Sequence, residues 1–379
     1  MALSAVKQIF IDHHAHTMRQ DFLQLDAIGL RQPFSESRSI TQIQRHTPNM
    51  ISYMDCIDKL GKLLQVQGEE KILELRASMS KTDYVNRLFD DASLGAFIVD
   101  DGFLPANGMS ISRFAQLCER PVFRCRRIES ALEEALEQST NFQELEKSFP
   151  NLLLQHGDMK TVSLKTIAAY RGGLEIDTVS RQSAIDDFDR TKRTLQSDGR
   201  PRVMRGALYH HFLLETFDLA QSHNLPVQVH TGIGDQDEDL RLANPLYLRN
   251  ILESGRFAHT NFVFLHCYPF VRESAHLASL YANAYMDISL ISFLASPALQ
   301  SSFLEALSLA PASKILASTD GHSIPETYWY GARSLKRALT AALNELVSRN
   351  YLTDSNAEHI SGLLLHGNAK MLYELPGLS

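Results

Sequence analysis

Basic charge is in short supply. Thirty-seven Lys and Arg stand against 44 Asp and Glu, a formal net charge of -7. Phosphate neutralisation needs a basic face, so a nucleic-acid binder is disfavoured. Cysteine is also scarce: Cys56, Cys118, Cys125 and Cys267 form no C-x-x-C pair. That excludes a thiolate zinc cluster and reads as buried thiols in a reducing cytosol. No charged N-terminal region leads into a long apolar stretch, so no signal peptide is expected. No uncharged apolar run is long enough to span a bilayer. A Gly-rich dinucleotide turn after an early strand is missing too. What is present is 44% hydrophobic and 21% charged residues. This is the composition of a chain with ample core, expected to be cytoplasmic.

Short β-rich runs recur at 8–12, 95–100, 122–126, 161–168, 227–230, 261–266, 284–289 and 314–319. Several are continuously apolar, such as Ala96, Phe97, Ile98, Val99 and Phe262, Val263, Phe264, Leu265. Such strands are covered by helices. Amphipathic stretches at 114–119, 131–149 and 204–222 lie between them. Strand–helix alternation repeated eight times predicts an α/β fold, a parallel (β/α)8 TIM barrel formed by residues 1–379 as one domain. About residues 19–91 separate the first two strands, far more than a crossover needs. Helical spacing at 43–64, 69–78 and 82–88 makes this a helical cap insertion over the strand ends. The polar segment 174–205 reads as an excursion on the same face, and 362–375 as a final helix closing the barrel.

Barrel chemistry sits at the carboxyl ends of the strands. The first strand ends in His14 and His16, the fourth carries Lys165, the fifth ends in His230, the sixth in His266 and the eighth in Asp320. Residues two apart on a strand share a face, so His14 and His16 project together while His13 points away into a structural hydrogen bond. Neutral imidazoles and a carboxylate are ligands for a divalent metal, with zinc as the default and manganese or iron fitting similar sites. Asp320 could ligate through one oxygen and take a proton through the other. His266 could ligate a second ion or hydrogen-bond a substrate oxygen. Lys165 as an ammonium is no ligand. Carboxylated, it would bridge two ions; otherwise it pairs with Asp320 or a substrate carboxylate. His322 could reach the site from its loop.

The segments SLKTIAAYR (163–171), VQVHTGIGD (227–235) and STDGHSIPE (318–326), with His14 and His16 ahead of them, resemble the amidohydrolase superfamily, more narrowly its amidohydrolase-related (amidohydrolase 2) branch. That resemblance implies His14, His16, His230 and Asp320 as metal ligands. It sets Lys165 and His266 where binuclear relatives keep a carboxylated lysine and a second-metal histidine. It implies an enzyme with one or two metal ions. The superfamily includes hydrolases of amides and esters, non-oxidative decarboxylases and uronate isomerases.

Arg171, just past Lys165, could hold a substrate carboxylate with two hydrogen bonds, supported by Tyr170. The competing account is an ion pair with the acidic loop 235–239. Tyr328, Trp329 and Tyr330 form either an aromatic wall or helix packing. The leading expectation is a metal-dependent amidohydrolase cleaving a C–N bond of a small carboxylated substrate by metal-activated water. Asp320 and His266 would be its catalytic residues. A metal-dependent decarboxylase and a non-catalytic binding barrel are the rivals. Substrate and oligomeric state are left open.

Overall fold

The computed structural model describes residues 8–155, 157, 159–194, 199–375 and 377–378. Eight strands follow one another: β1 (Phe10–Ala15), β2 (Leu94–Asp100), β3 (Val122–Arg127), β4 (Thr161–Thr166), β5 (Val227–His230), β6 (Phe262–Leu265), β7 (Ala284–Ile288) and β8 (Ile315–Ala317). Each pairs in parallel with the next. Past the strand ends, β1 and β8 meet: Asp320 N–H donates to His14 O (3.1 Å), and His16 N–H to Gly321 O (2.9 Å). The result is a (β/α)8 barrel with helices between the strands. No helix among the described residues is long and apolar enough to cross a membrane.

Alternation along the strands sorts the core. Phe97 and Val99 join the large cluster that also holds Phe114 and Trp329, between sheet and helices. Ala96 and Ile98 belong to a smaller cluster with Ile11, Phe123, Cys125, Val263, Leu265 and Leu316. Tyr373 and Leu375 from the chain's end join that inner cluster.

Some boundaries move. The first strand begins at Phe10, since Ile9 is 60% exposed, and it runs on to Ala15. The expected helix at 131–149 is two, Ile128–Gln138 and Phe142–Leu154, because the Asn141 side chain accepts from Glu144 N and starts a new N-terminus. The last helical segment contains one π-helical turn, Leu363–Gly367. Within the excursion at 174–205, residues 195–198 lie outside the described residues.

Between β1 and β2 lie the helices Ile40–Arg45, Ile51–Leu64, Gly68–Ser78 and Lys81–Asp91. The last packs on β2 and on the long helix Pro325–Ser348. Tyr328, Trp329 and Tyr330 are fully buried in that long helix, so helix packing accounts for them. The insertion is tied down by a buried ion pair, Arg76 Nε to Glu326 Oε1 at 2.8 Å, both side chains fully buried. Tyr84 OH donates to the same carboxylate oxygen (2.7 Å). Removing one partner leaves a buried charge, which costs ~3–5 kcal/mol, whereas removing both costs much less. Arg76→Met should therefore lower unfolding free energy in denaturant titration by about 3 kcal/mol. The double variant R76M/E326Q should recover part of that loss, and a double variant less stable than either single one would contradict the account.

Candidate metal centre

Backbone geometry gathers the strand-end side chains. β1 carries a register irregularity between Asp12 and Ala15. Strict alternation is broken there. His13 makes the structural hydrogen bond expected of it, its ring reaching Asp287 Oδ2 on β7 (3.0 Å) and Tyr373 OH (3.1 Å). Beyond β8 the chain turns through Asp320 at φ 55°, a left-handed conformation that L-residues adopt at a cost. That turn folds the carboxylate back over β1. Asp320 Oδ1 lies 3.2 Å from His14 Nε2 and 3.2 Å from His16 Nε2. His266, also at positive φ (69°), brings Nδ1 to 3.8 Å from Asp320 Oδ2.

Hydrogen bonds behind the rings select their tautomers. Gln228 Nε2 donates to His13 O (2.8 Å) and Tyr373 OH (3.0 Å), so its Oε1 is left to accept from His14 Nδ1 (2.8 Å). That leaves the Nε2 lone pair of His14 facing the pocket. Ser289 OH donates to Asp287 Oδ1 (2.9 Å), so Ser289 Oγ accepts from His266 Nδ1 (2.7 Å). His266 Nε2 is then likewise a lone pair. Such partners orient ligating histidines and raise their basicity. Burial, with Lys165 nearby, pulls His14 down to about 3. Burial pulls His266 down to about 4, and holds His230 well below the ordinary range. All three rings are neutral at physiological pH. Burial opposes ionisation of Asp320, but His266, His14 and His16 outweigh it and keep the carboxyl well below the usual range.

This donor set fits a divalent cation. Two ligands of a tetrahedral ion with metal–ligand bonds of 2.0–2.1 Å stand roughly 3.3 Å apart. The Asp320–His14 and Asp320–His16 separations match that spacing. Among the described residues, Asp320 Oδ1, His16 Nδ1 and His230 Nε2 are buried without a hydrogen-bond partner. His14, His266 and Asp320 form one possible ligand group, and His14, His16 and Asp100 another.

The other expected residues border the same pocket, which encloses about 270 Å³. Lys165 Nζ is buried 3.2 Å from His14 Nε2, and desolvation lowers its pKa despite Asp100. Tyr170 packs its ring 4.6 Å from that of His230 and accepts from Asp235 N–H (3.3 Å). Arg171 lines the pocket, but its ion pair is with Glu133 (3.3 Å), on the helix after β3, and not with the loop at 235–239. The η-turn Ala168–Arg171 swings the side chain toward that helix. His322 also lines the pocket, pulled down to about 4 by burial.

Several pocket residues carried no sequence signal. Glu36 arrives from the insertion and Arg127 from the end of β3, while Glu238, from the loop after β5, stands against His230. Arg127 pairs with Asp100, the last residue of β2. Asp100 was findable, being an acid at a strand end. Gln228 and Asp287 sit inside strands and reveal themselves only through their partners.

The family profile described as Amidohydrolase matches residues 194–375, a span holding His230, His266 and Asp320. The match covers a little under half of the chain, so the likeness to amidohydrolases is that of its C-terminal part. Protein fluG from Emericella nidulans is 32% identical over 234 residues, 58% of this chain and 26% of that protein. The chain thus spans about a quarter of that relative's length. A structure from Lactobacillus casei ATCC 334, provisionally described as a metal-dependent hydrolase, superposes with a TM-score of 0.89 at 28% identity, over 98% of this chain and 97% of the other. A uronate isomerase from Bacillus halodurans C-125 superposes with a TM-score of 0.66 at 12% identity, over 98% and 94% of the two chains, a likeness of fold. The C-terminal part is thus similar to amidohydrolases, and the whole chain to the fold of a structure described as a metal-dependent hydrolase.

Two measurements probe this centre. Gln228→Leu removes the acceptor that orients His14, and should weaken metal affinity ~10–100-fold while the fold persists. Unchanged affinity would break the link between Gln228 and the donor set. Glu36 is pushed up to about 7 by burial, with Asp320 and Asp235 adding to the effect. An unfolded glutamate titrates near ~4.3. The folded metal-free protein therefore binds more protons between those values, and this stabilisation is lost as pH rises through about 7. Metal-free Glu36→Gln should gain thermal stability relative to wild type across that window; parallel pH profiles would contradict the assignment.

Proposed function

We propose that this enzyme hydrolyses a C–N, amide-type bond of a small carboxylated substrate, with His14, His16 and Asp320 around a divalent cation. His230, Lys165 and His266 border the same pocket as the remaining ligand candidates, so the reading admits one ion or two. The observation that carries it is the position of Asp320 Oδ1, buried 3.2 Å from both imidazole Nε2 atoms and without a hydrogen-bond donor among the described residues. Nitrogen and oxygen donors in this number suit zinc.

When bound, such an ion supplies Lewis-acid polarisation and makes water nucleophilic near neutral pH. The chain's own groups handle protons and orientation. Asp320 is ionised, so it can take the proton of the attacking water at Oδ2 and deliver it to the leaving nitrogen. His266 is neutral with its proton directed at Ser289. Its free lone pair suits ligation or proton acceptance, and hydrogen-bond donation to the substrate carbonyl is not open to that tautomer. Arg171 keeps Nε buried and unpartnered among the described residues while its other end is held by Glu133. It is therefore pre-oriented to receive a substrate carboxylate. Tyr170 closes the same wall against His230. Lys165 is desolvated with a lowered pKa, which favours the neutral amine that carboxylation requires.

Asp320→Asn should lower kcat ~10²–10⁴-fold, the contribution of a positioned acid–base group, while the protein stays folded and binds metal at least in part. Chelation should abolish turnover in wild type. The product assay decides the reaction. A new amine released in proportion to substrate loss supports C–N hydrolysis. Carbon dioxide without a new amine would replace it with decarboxylation, and full activity in D320N would refute the role of Asp320.

A further inference from the structure

Glu238 sits in the loop between β5 and the short turn Leu240–Leu242. Its neighbours Asp237 and Asp239 are open to solvent, with side chains 42% and 39% exposed. Glu238 does the opposite: its side chain is 2% exposed. Its Oε1 stands 3.5 Å from His230 Nε2. Neither atom has a hydrogen-bond partner among the described residues. Burying an unpaired carboxylate oxygen costs several kcal/mol or a shift in protonation, so a loop free to turn it outward needs a reason to turn it inward.

The local packing is built around this orientation. A Cβ on Gly234 would stand 2.7 Å from Glu238 Oε2 and 1.9 Å from Tyr170 OH, so only glycine lets both side chains close over His230. Among the described residues no Lys or Arg forms an ion pair with Glu238. Its charged neighbours are acidic, Asp235 and Glu36. Arg38 is drawn instead to Asp237 (2.8 Å). The vicinity thus offers a buried carboxyl and an imidazole nitrogen that face each other without a hydrogen-bond partner among the described residues, with no Lys or Arg paired to the carboxyl. Their 3.5 Å separation is close to the roughly 3.3 Å expected between two ligands of one ion, and resembles the spacing of Asp320 Oδ1 from His14 and His16.

We propose that Glu238 is a metal ligand, forming with His230 a second divalent-cation position beside the one assigned to His14, His16 and Asp320. The proposal rests on that assignment for the first position. It differs by drawing its carboxylate from the loop after β5, so a second ion does not require Lys165 to be carboxylated.

Cobalt(II) is the probe. The chelated full-length protein is dialysed against it, bound metal is counted by mass spectrometry, and the visible ligand-field spectrum is recorded. Wild type should bind about two equivalents, as two ligand groups would. Glu238→Gln should bind about one, keeping the spectrum of the first position. His230→Asn should lose the same equivalent, which guards against a folding defect peculiar to E238Q. Asp320→Asn should instead perturb the other spectral component. E238Q with the wild-type metal count overturns the proposal, as does a wild type binding a single equivalent that only D320N disturbs. A rise in KM for an amine-bearing substrate, with the metal count unchanged, would reassign Glu238 to the substrate and also overturn it. A wild type that binds no metal overturns the first position as well.

Discussion

The seam between the first and last strands is the constraint on which the site depends. β8 is short, and backbone pairing continues beyond it: Asp320 N–H to His14 O, His16 N–H to Gly321 O, and Ser323 N–H to Thr17 O. Asp12 reinforces the seam by accepting from Thr319 N–H (2.8 Å) and from the Thr319 hydroxyl. Gly321 is required at this point, since a Cβ there would stand 2.5 Å from the Tyr328 ring. These contacts hold Asp320 in its left-handed turn, a conformation the isolated peptide would rarely keep. Residues more than 300 positions apart in sequence thereby share a 3.2 Å contact. Loosening the seam would move the carboxylate and both imidazoles independently, and their common focus would be lost.

Electrostatics then explains why that focus suits a cation. Burial strips protons from the histidines and leaves lone pairs. The same burial opposes ionisation of the carboxylates, and at Asp320 the neighbouring His266, His14 and His16 act against it. Glu36 and Glu238, buried beside other acidic groups, are raised to about 7 and about 8. A pocket holding neutral nitrogen donors and reluctant carboxylates has an energetic deficit that a divalent ion removes in one step. Deprotonation of the ligands and metal binding are then one linked equilibrium.

How much of this was legible beforehand follows from where each residue gets its position. Strand-end side chains are placed by the barrel itself, so His14, His16, His230, His266 and Asp320 could be picked from apolar runs and their last residues. The eight strands were legible for the same reason, apart from their exact limits. His13 was legible as a structural hydrogen bonder but its partners were not, since Asp287 and Tyr373 lie far along the chain and the irregularity between Asp12 and Ala15 has no signature in composition. Arg171 was assigned the wrong competing partner because loop charge alone pointed to residues 235–239, while the turn at Ala168–Arg171 set its direction toward Glu133. Gln228 and Asp287 went unseen because an amide or carboxylate inside a strand declares its role only when its hydrogen-bond partners are known. Glu238 was hidden among acidic neighbours that point outward, and nothing in the run Asp235, Gln236, Asp237, Glu238, Asp239 marks which carboxylate turns in.

This split between strand and loop has a chemical consequence. The groups suited to activating water sit on strand ends, where hydrogen bonds to Gln228, Ser289 and Asp287 fix them within the rigid sheet. The groups that would meet the rest of a substrate come from elsewhere: Glu36 from the insertion before β2, Phe103 from the loop after it, and Arg202 from the excursion before β5. Substituting in these segments changes the pocket's charge and shape without touching the strand seam. Rigidity is needed where bonds are made and broken, since small displacements of a catalytic group are costly. Variability is tolerable at the walls, which are carried by loops and turns. Likeness to amidohydrolases therefore bears on reaction class far more than on substrate, because the two are encoded in parts of the chain held by different forces.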